Sequence, residues 1–279
     1  MRSFFEHARR QLTSLYSTLE IDSMINQLIQ SATGFSRTQL IMHKNSELSP
    51  ENRQQLLRML DRLQNSEPLQ YVLGETEFLG RSFLVNESVL IPRPETEELV
   101  DLIISGNSEN QCSVLDIGTG SGCIAISLAS KLPNVKVEAW DISEDALTVA
   151  RANAIRNNQD ILFKRVDVLS NDFELNSFDV IVSNPPYVCD HESVNMHKNV
   201  LDYEPYIALF VPDGDPLRFY RRIIELATKM LRKGGKLYFE INAVYGKETA
   251  DLLHENGFSE VKIIKDIFGK DRIVKGVFN

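Results

Sequence analysis

The sequence predicts an α/β protein: a doubly wound, Rossmann-like sheet with a small helical domain before it and a β-hairpin linker between the two. Three observations predict this. From Cys112 onward, short β-branched runs alternate with amphipathic stretches, the pattern of strands and helices wound on a sheet. Within that region Val114-Leu115-Asp116-Ile117-Gly118-Thr119-Gly120-Ser121-Gly122-Cys123-Ile124-Ala125 reads as a strand, a glycine turn and the start of a helix. Before it, from Phe4 to about Leu63, apolar residues recur at helical spacing.

In chain order, Phe4, Phe5, Ala8, Leu12, Leu15, Tyr16 and Leu19, then Ile21, Ile25, Leu28 and Ile29, mark the first helices. Ser49-Pro50-Glu51 is an N-cap, a first-turn proline and an acid favoured by the helix dipole, opening a helix through Leu56, Leu57, Leu60 and Leu63. Four or five short helices are expected. They hold no residue set that chemistry demands, so their expected role is packing or partner recognition. Phe78-Leu79-Gly80-Arg81-Ser82-Phe83 resembles two strands around a glycine turn. The expected division is residues 1–70 as a helical bundle, 71–88 as the hairpin linker and 89–279 as the catalytic domain.

In Val89-Leu90-Ile91-Pro92-Arg93-Pro94-Glu95-Thr96-Glu97-Glu98 the prolines impose an extended entry and the acids fall in a first helical turn. Arg93, between two prolines, is either a solvated surface arginine or a group that orients a cofactor carboxylate or the substrate. Strands are expected near 112–117, 135–140, 161–166, 178–183, 236–241, 261–265 and 272–278. Helices are expected near 95–105, 122–131, 143–157, 215–232 and 247–256. Gly234-Gly235 and Gly257 stand where helix C-terminal caps belong.

Composition narrows the function. No apolar run approaches the roughly 20 residues of a membrane span, and the first residues lack a signal-peptide core, so the default location is cytoplasmic and no membrane partner is expected. Cys112, Cys123 and Cys189 lack CxxC spacing, and His191 and His197 have no third ligand at a suitable spacing, so no metal is expected. Net charge is −9, and the imbalance lies wholly after Asn86, where 30 acidic residues face 21 basic ones. That balance disfavours a nucleic-acid substrate without removing the option of a local basic patch. A monomer is the default state.

The glycine loop and its neighbours suggest the chemistry. Glycines at 118, 120 and 122 give GxGxG, whereas the dinucleotide fingerprint is GxGxxG. Nineteen positions after Gly122, a second strand ends at Asp141, which can take both hydroxyls of a ribose. Phe178-Asp179-Val180-Ile181-Val182-Ser183 is a fourth strand, and it delivers Asn184-Pro185-Pro186-Tyr187 to its end. As a plain sequence, Asn-Pro-Pro is an ordinary turn signal. Beside a cofactor loop it suits holding a planar NH2 group: Asn184 offers an amide oxygen, the two prolines stiffen a carbonyl at Pro185, and Tyr187 adds a flat face. Together the glycine loop, Asp141 and this tetrapeptide favour S-adenosyl-L-methionine as cofactor, giving S-adenosyl-L-homocysteine, with Asp167 reaching the adenine amino group and Val168 against its ring.

With these residues in view, the chain resembles the PrmC/HemK protein-(glutamine-N5) methyltransferases over nearly its full length. The carriers are Pro68-Leu69-Gln70-Tyr71-Val72-Leu73-Gly74, Leu90 to Glu97, Asp116 to Gly122, Asn184 to Tyr187, Tyr203-Glu204-Pro205 with Ala208-Leu209, and Asp266-Ile267-Phe268-Gly269-Lys270-Asp271-Arg272. The tetrapeptide alone is shared with DNA and RNA amino-methyltransferases, so an N6-adenine or other nucleic-acid amino-methyltransferase is the alternative. The resemblance implies a class I S-adenosylmethionine-dependent methyltransferase fold. It implies that Gly118, Thr119, Gly120, Ser121, Gly122 and Asp141 bind the cofactor. It further implies that Asn184, Pro185, Pro186 and Tyr187 hold the glutamine of the Gly-Gly-Gln motif of peptide chain release factors, which are then the expected partners. Val168 departs from members with tryptophan there, and Asn242-Ala243-Val244-Tyr245-Gly246 departs from the family's usual glutamine-containing stretch.

Overall fold

The computed structural model describes residues 1–107, 111–170 and 176–279. Along the chain come α1 (Arg2–Leu12), α2 (Thr18–Thr33), α3 (Arg37–Met42), α4 (Pro50–Gln64), α5 (Leu69–Leu73), β1 (Glu75–Phe78), β2 (Arg81–Leu84) and α6 (Pro94–Asn107). Then follow β3 (Ser113–Ile117), α7 (Cys123–Lys131), β4 (Lys136–Asp141), α8 (Glu144–Arg156), β5 (Leu162–Arg165), β6 (Phe178–Ser183), β7 (Val188–Cys189), α9 (Lys198–Tyr203), α10 (Tyr206–Leu209) and β8 (Phe210–Val211). The last elements are α11 (Arg218–Met230), β9 (Leu231–Glu240), α12 (Gly246–Glu255), β10 (Phe258–Lys265) and β11 (Asp271–Phe278).

Two compact units result. One comprises Met1–Glu75 with His197–Tyr203, the other Thr76–Met196 with Glu204–Asn279. The first is built by caps and an apolar seam. Ser17 and Ser36 close capping boxes on α2 and α3, and the Ser49 hydroxyl accepts from Asn52 N at 3.2 Å ahead of Pro50, satisfying amides that a helix start leaves open. Ala8, Leu12, Ile25, Leu28, Leu56 and Leu63 bury their side chains completely in its core. The helical period breaks after Leu12, so Leu15 and Leu19 stand 46% and 86% exposed instead of continuing the seam. Inside this unit the Tyr203 hydroxyl donates to the Asn65 carbonyl at 2.8 Å, tying α9 to the end of α4.

The second unit holds a seven-stranded sheet in the order β10-β11-β9-β6-β3-β4-β5. β9, β6, β3, β4 and β5 run parallel, and β11 pairs antiparallel with both β9 and β10. Both faces are covered, as parallel sheets require, and the strand residues sort by a period of two. Val114, Val180, Val182 and Tyr238 face a core shared with α6 and α7, while Leu115, Ile117, Ile181, Leu237 and Phe239 face one shared with α11 and α12. The chain reverses direction across the sheet between β3 and β6, so the loops after those two strands lie side by side, the usual ligand crevice of such sheets. Among the described residues, no helix is long and apolar enough to cross a membrane.

Two glycine expectations divide. Gly257 follows α12 at φ +84°, where a left-handed residue ends a helix. Gly234-Gly235 caps nothing: α11 ends at Met230, and both glycines lie inside β9. There Gly234 turns at φ +80°, the pairing with β6 shifts register, and a Cβ on Gly235 would come within 2.8 Å of the Arg232 carbonyl. The hairpin turn at Leu79-Gly80 takes φ +48° and +73°, the pair of left-handed residues a two-residue turn demands, and Glu97 Oε1 accepts from Leu79 N at 2.7 Å.

Candidate active site

A cavity of about 560 Å³ opens at the β3/β6 switch, within the ordinary range for small-molecule sites. Gly118, Thr119, Gly120, Ser121, Asp141, Asp167, Val168, Asn184, Pro185, Pro186 and Arg93 all line it. Two other residues singled out from the sequence, Gly122 and Tyr187, do not.

The glycine loop leaves β3 in a left-handed path, with φ +75° at Gly118, +53° at Gly120 and +81° at Gly122. These three glycines do different work. A Cβ on Gly120 would meet no protein atom within 4 Å, so a side chain there would project into open space beside the cavity. A Cβ on Gly118 would lie 4.0 Å from the Asn184 carbonyl, which measures how close the two loops approach. Gly122 serves packing, since its Cβ would sit 3.0 Å from Ile126 Cδ1 and 3.3 Å from Ala150 Cβ. Beneath the loop lies Asp116, fully buried, whose Oδ2 accepts from Thr119 Oγ1 at 2.6 Å and from Ala125 N at 3.2 Å. Its Oδ1 has no partner among the described residues. Burial raises this carboxyl to about 7, against the two hydrogen bonds that favour its charge.

Asp141 ends β4 at the rim. Its Oδ2 accepts from Gly120 N at 2.8 Å and its Oδ1 from Ser143 N at 2.9 Å; burial raises it, and these amides oppose the rise. Each oxygen keeps a second lone pair, so the carboxylate can still accept from a diol. Asp167 follows β5, exposed, with Oδ1 on Leu169 N at 2.9 Å, and Val168 is partly buried beside it. Arg93 is not a solvated surface arginine. Its Nη2 donates to Glu204 Oε1 at 2.6 Å, and the same buried carboxylate accepts from Ile91 N through Oε2 at 3.3 Å. That pairing joins the Ile91-Pro92-Arg93-Pro94 stretch to Tyr203-Glu204-Pro205, two motifs whose connection sequence reasoning did not find.

Asn184 and its neighbours form the cavity's polar corner. Asn184 Nδ2 donates to Thr96 Oγ1 at 3.4 Å, and Thr96 Oγ1 donates to Glu240 Oε2 at 2.7 Å. Among the described residues nothing donates to Asn184 Oδ1 or to the Pro185 carbonyl. Tyr187 is held from two sides: its amide donates to the Leu209 carbonyl at 3.2 Å and its hydroxyl to Glu240 Oε1 at 3.1 Å. Burial and the neighbouring Glu240 carboxylate raise the phenol, keeping it a neutral donor. Asn242, in the stretch that departs from the family pattern, donates to the Tyr187 carbonyl at 3.3 Å. Sequence reasoning missed Thr96, Glu240 and Asp116, although a carboxylate closing the apolar run Leu237-Tyr238-Phe239 and an aspartate inside Val114-Leu115-Asp116-Ile117 were visible signals. His191 pairs with Asp213, Nδ1 to Oδ1 at 2.7 Å, which raises the imidazole.

Known proteins resemble this chain closely. Residues 98–203 match the methyltransferase small domain, and residues 4–74 match the PrmC N-terminal domain. A release factor glutamine methyltransferase of Bacteroides thetaiotaomicron is 49% identical, covering 98% of this chain and 99% of that protein. Those of Flavobacterium psychrophilum and Streptococcus pneumoniae are 47% and 40% identical, each over 95% of this chain and over 94% and 97% of their own lengths. Among solved structures, a methyltransferase from Pyrococcus furiosus superposes with a TM-score of 0.53 at 22% identity, covering 72% of this chain and 90% of its own. A 16S rRNA N2 G1207 methyltransferase of Thermus thermophilus, solved with AdoMet and guanosine, gives 0.52 at 18%, covering 74% and 50%. The two structures share the class I methyltransferase fold. With near-full-length relatives at 40 to 49% identity and the expected N-terminal domain in place, this chain belongs to the release factor glutamine methyltransferase family.

Proposed function

We propose that this protein methylates the side-chain amide nitrogen of the glutamine in the Gly-Gly-Gln motif of peptide chain release factors, with S-adenosyl-L-methionine as methyl donor. The residues present fit that cofactor. A left-handed glycine loop leaves open space at Gly120, Asp141 stands at the end of the next strand, and Asp167 and Val168 line the same cavity. In this reading the loop amides and Asp141 take the amino-acid and ribose portions, and Asp167 with Val168 the adenine. When bound, S-adenosylmethionine supplies a methyl group on a positively charged sulfur.

The chain's own residues solve the other half of the problem. A carboxamide nitrogen is a weak nucleophile because its lone pair is delocalised into the carbonyl. Asn184 Oδ1 and the Pro185 carbonyl accept its two hydrogens, fix its orientation and stabilise the positive charge that develops as the N–C bond forms. Gains of this kind come from positioning and from dipoles aimed in advance. The methylated nitrogen then loses one proton to water, so no strong base is needed. The observation that carries this reading is Asn184 itself: it lines the cavity beside the glycine loop, with its amide nitrogen 3.4 Å from Thr96 Oγ1. A cytoplasmic location follows from a translation factor as substrate.

The alternative acceptor, an adenine amino group, would use the same corner after base flipping. The net charge of −9 and the names of the full-length relatives weigh against it. Incubation with labelled cofactor and either a purified release factor or DNA, followed by mass mapping of the product, separates the two. One methyl on the motif glutamine is the expected result. Label in DNA alone would overturn the proposal.

A further inference from the structure

The Asn184 amide can face the cavity in two ways, with opposite consequences. With oxygen inward it accepts from a substrate NH2; flipped, it presents donors to donors. Backbone rigidity at Pro185 does not choose between them, because the flip is a rotation of the side-chain amide alone. What can choose is the group on the other side. Thr96 carries one hydroxyl hydrogen, and that hydrogen points to Glu240 Oε2 at 2.7 Å. The other carboxylate oxygen takes the Tyr187 hydroxyl at 3.1 Å. Both Thr96 and Glu240 are buried, at 3% and 1% exposure, so water does not substitute for either partner.

We propose that Glu240 and Thr96 are positioning residues for the transfer: by accepting from both hydroxyls, Glu240 obliges Thr96 Oγ1 to act as an acceptor for Asn184 Nδ2, which turns the Asn184 oxygen to the substrate. This rests on the reading of Asn184 as acceptor for the substrate amide. The surroundings of Glu240 act on it in both directions. Burial pushes its carboxyl up, while the hydrogen bonds from Thr96 and Tyr187 and the charge of Arg272 on β11 favour the ionised form, and Glu95 on α6 opposes it. Arg272 is itself held by Asp266 through Nε to Oδ2 at 3.2 Å. From α11 the Tyr220 hydroxyl donates to the Glu240 carbonyl at 3.2 Å, fixing the strand end from which the carboxylate projects. The device therefore links Thr96 of the Pro94-Glu95-Thr96-Glu97 stretch, Tyr187 of the tetrapeptide, and the Asp266 to Arg272 stretch, none of which contacts the reacting atoms through the groups just named.

Single-turnover methylation of a purified release factor, measured with the cofactor dissociation constant and the thermal midpoint, tests it. Thr96→Val keeps the shape and removes the hydroxyl; the rate of transfer is expected to fall about tenfold, the weight of one lost hydrogen bond, with cofactor affinity unchanged. Thr96→Ser restores the hydroxyl and is expected to recover most of that loss. Glu240→Gln, which must offer one N–H to a hydroxyl, is expected to slow transfer by a similar factor. Asn184→Ala runs alongside. If it is slow while Thr96→Val and Glu240→Gln both run at the wild-type rate, the positioning device is overturned and the Asn184 reading stands. Thr96→Ser as slow as Thr96→Val overturns the device as well, because the hydroxyl is then not what matters. If Asn184→Ala itself transfers at the wild-type rate, both fall.

Discussion

Asp116 is fully buried beneath the glycine loop. Its ordinary carboxyl value is 3.8, and burial lifts it to about 7 in the fold. Between those limits the native chain holds a proton that the unfolded chain has lost, so stability falls as pH rises from about 4 to about 7 and is flat on either side with respect to this group. The effect is on the order of a few kcal/mol. Asp116→Asn removes the linkage. Denaturant midpoints across that window should show the wild type falling relative to the variant; a difference that does not change with pH would mean that Asp116 is charged throughout. At this scale the sequence revealed residues that line the cavity, Gly118, Gly120, Asp141, Asn184 and Pro185 among them. It did not reveal those that act through others. A buried carboxylate such as Glu240 or Glu204 is recognised by its partners, and these come from 144 and 111 positions away in the chain.

Among the elements, β3, its glycine loop and α7 set the site, and two glycines two positions apart separate folding from binding. Gly122 needs φ +81° and has Ile126 and Ala150 against the space a Cβ would fill, so Gly122→Ala should cost about 1–3 kcal/mol of stability. Gly120→Ala shares the left-handed strain, at φ +53°, but adds its methyl where no protein atom stands within 4 Å, so it lacks the clash that Gly122→Ala meets. It should weaken cofactor binding more than it lowers the melting temperature. Calorimetric binding and thermal melts on both variants check the contrast, and the reverse order would contradict it. The alternation of strand and helix was legible because the central strands β3, β4 and β6 are buried on both faces and read as apolar-rich runs between amphipathic stretches. The short pairing of β7 with β8 was not, since two-residue strands leave no periodic trace. Gly234-Gly235 misled because a glycine pair after a helix reads the same whether it ends that helix or bends the next strand.

For the whole molecule, the candidate site lies in one compact unit, and the part that matches the PrmC N-terminal domain lies in the other. No group from the first unit is needed for the chemistry described above. We therefore propose that Met1–Glu75 grips the release factor away from its tripeptide and supplies remote binding energy for orientation. Removing residues 1–70 should raise KM for the release factor much more than it changes cofactor affinity, and equal loss of both would point to a folding defect. Because His197–Tyr203 packs with this unit, its Tyr203 to Asn65 hydrogen bond is lost in the truncation, and a Tyr203→Phe variant controls for that. The acidic balance of the second unit's sequence was legible from composition alone, whereas the return of α9 to the first unit was not, because nothing local in Lys198–Tyr203 encodes its distant partner.

The most direct measurement is the single-turnover rate of methyl transfer to a release factor by Asn184→Ala, taken together with its cofactor dissociation constant. The account expects the rate to fall by about a hundredfold, the scale of one aimed hydrogen-bonding group in a transition state, with cofactor affinity close to wild type. A rate equal to wild type would contradict it.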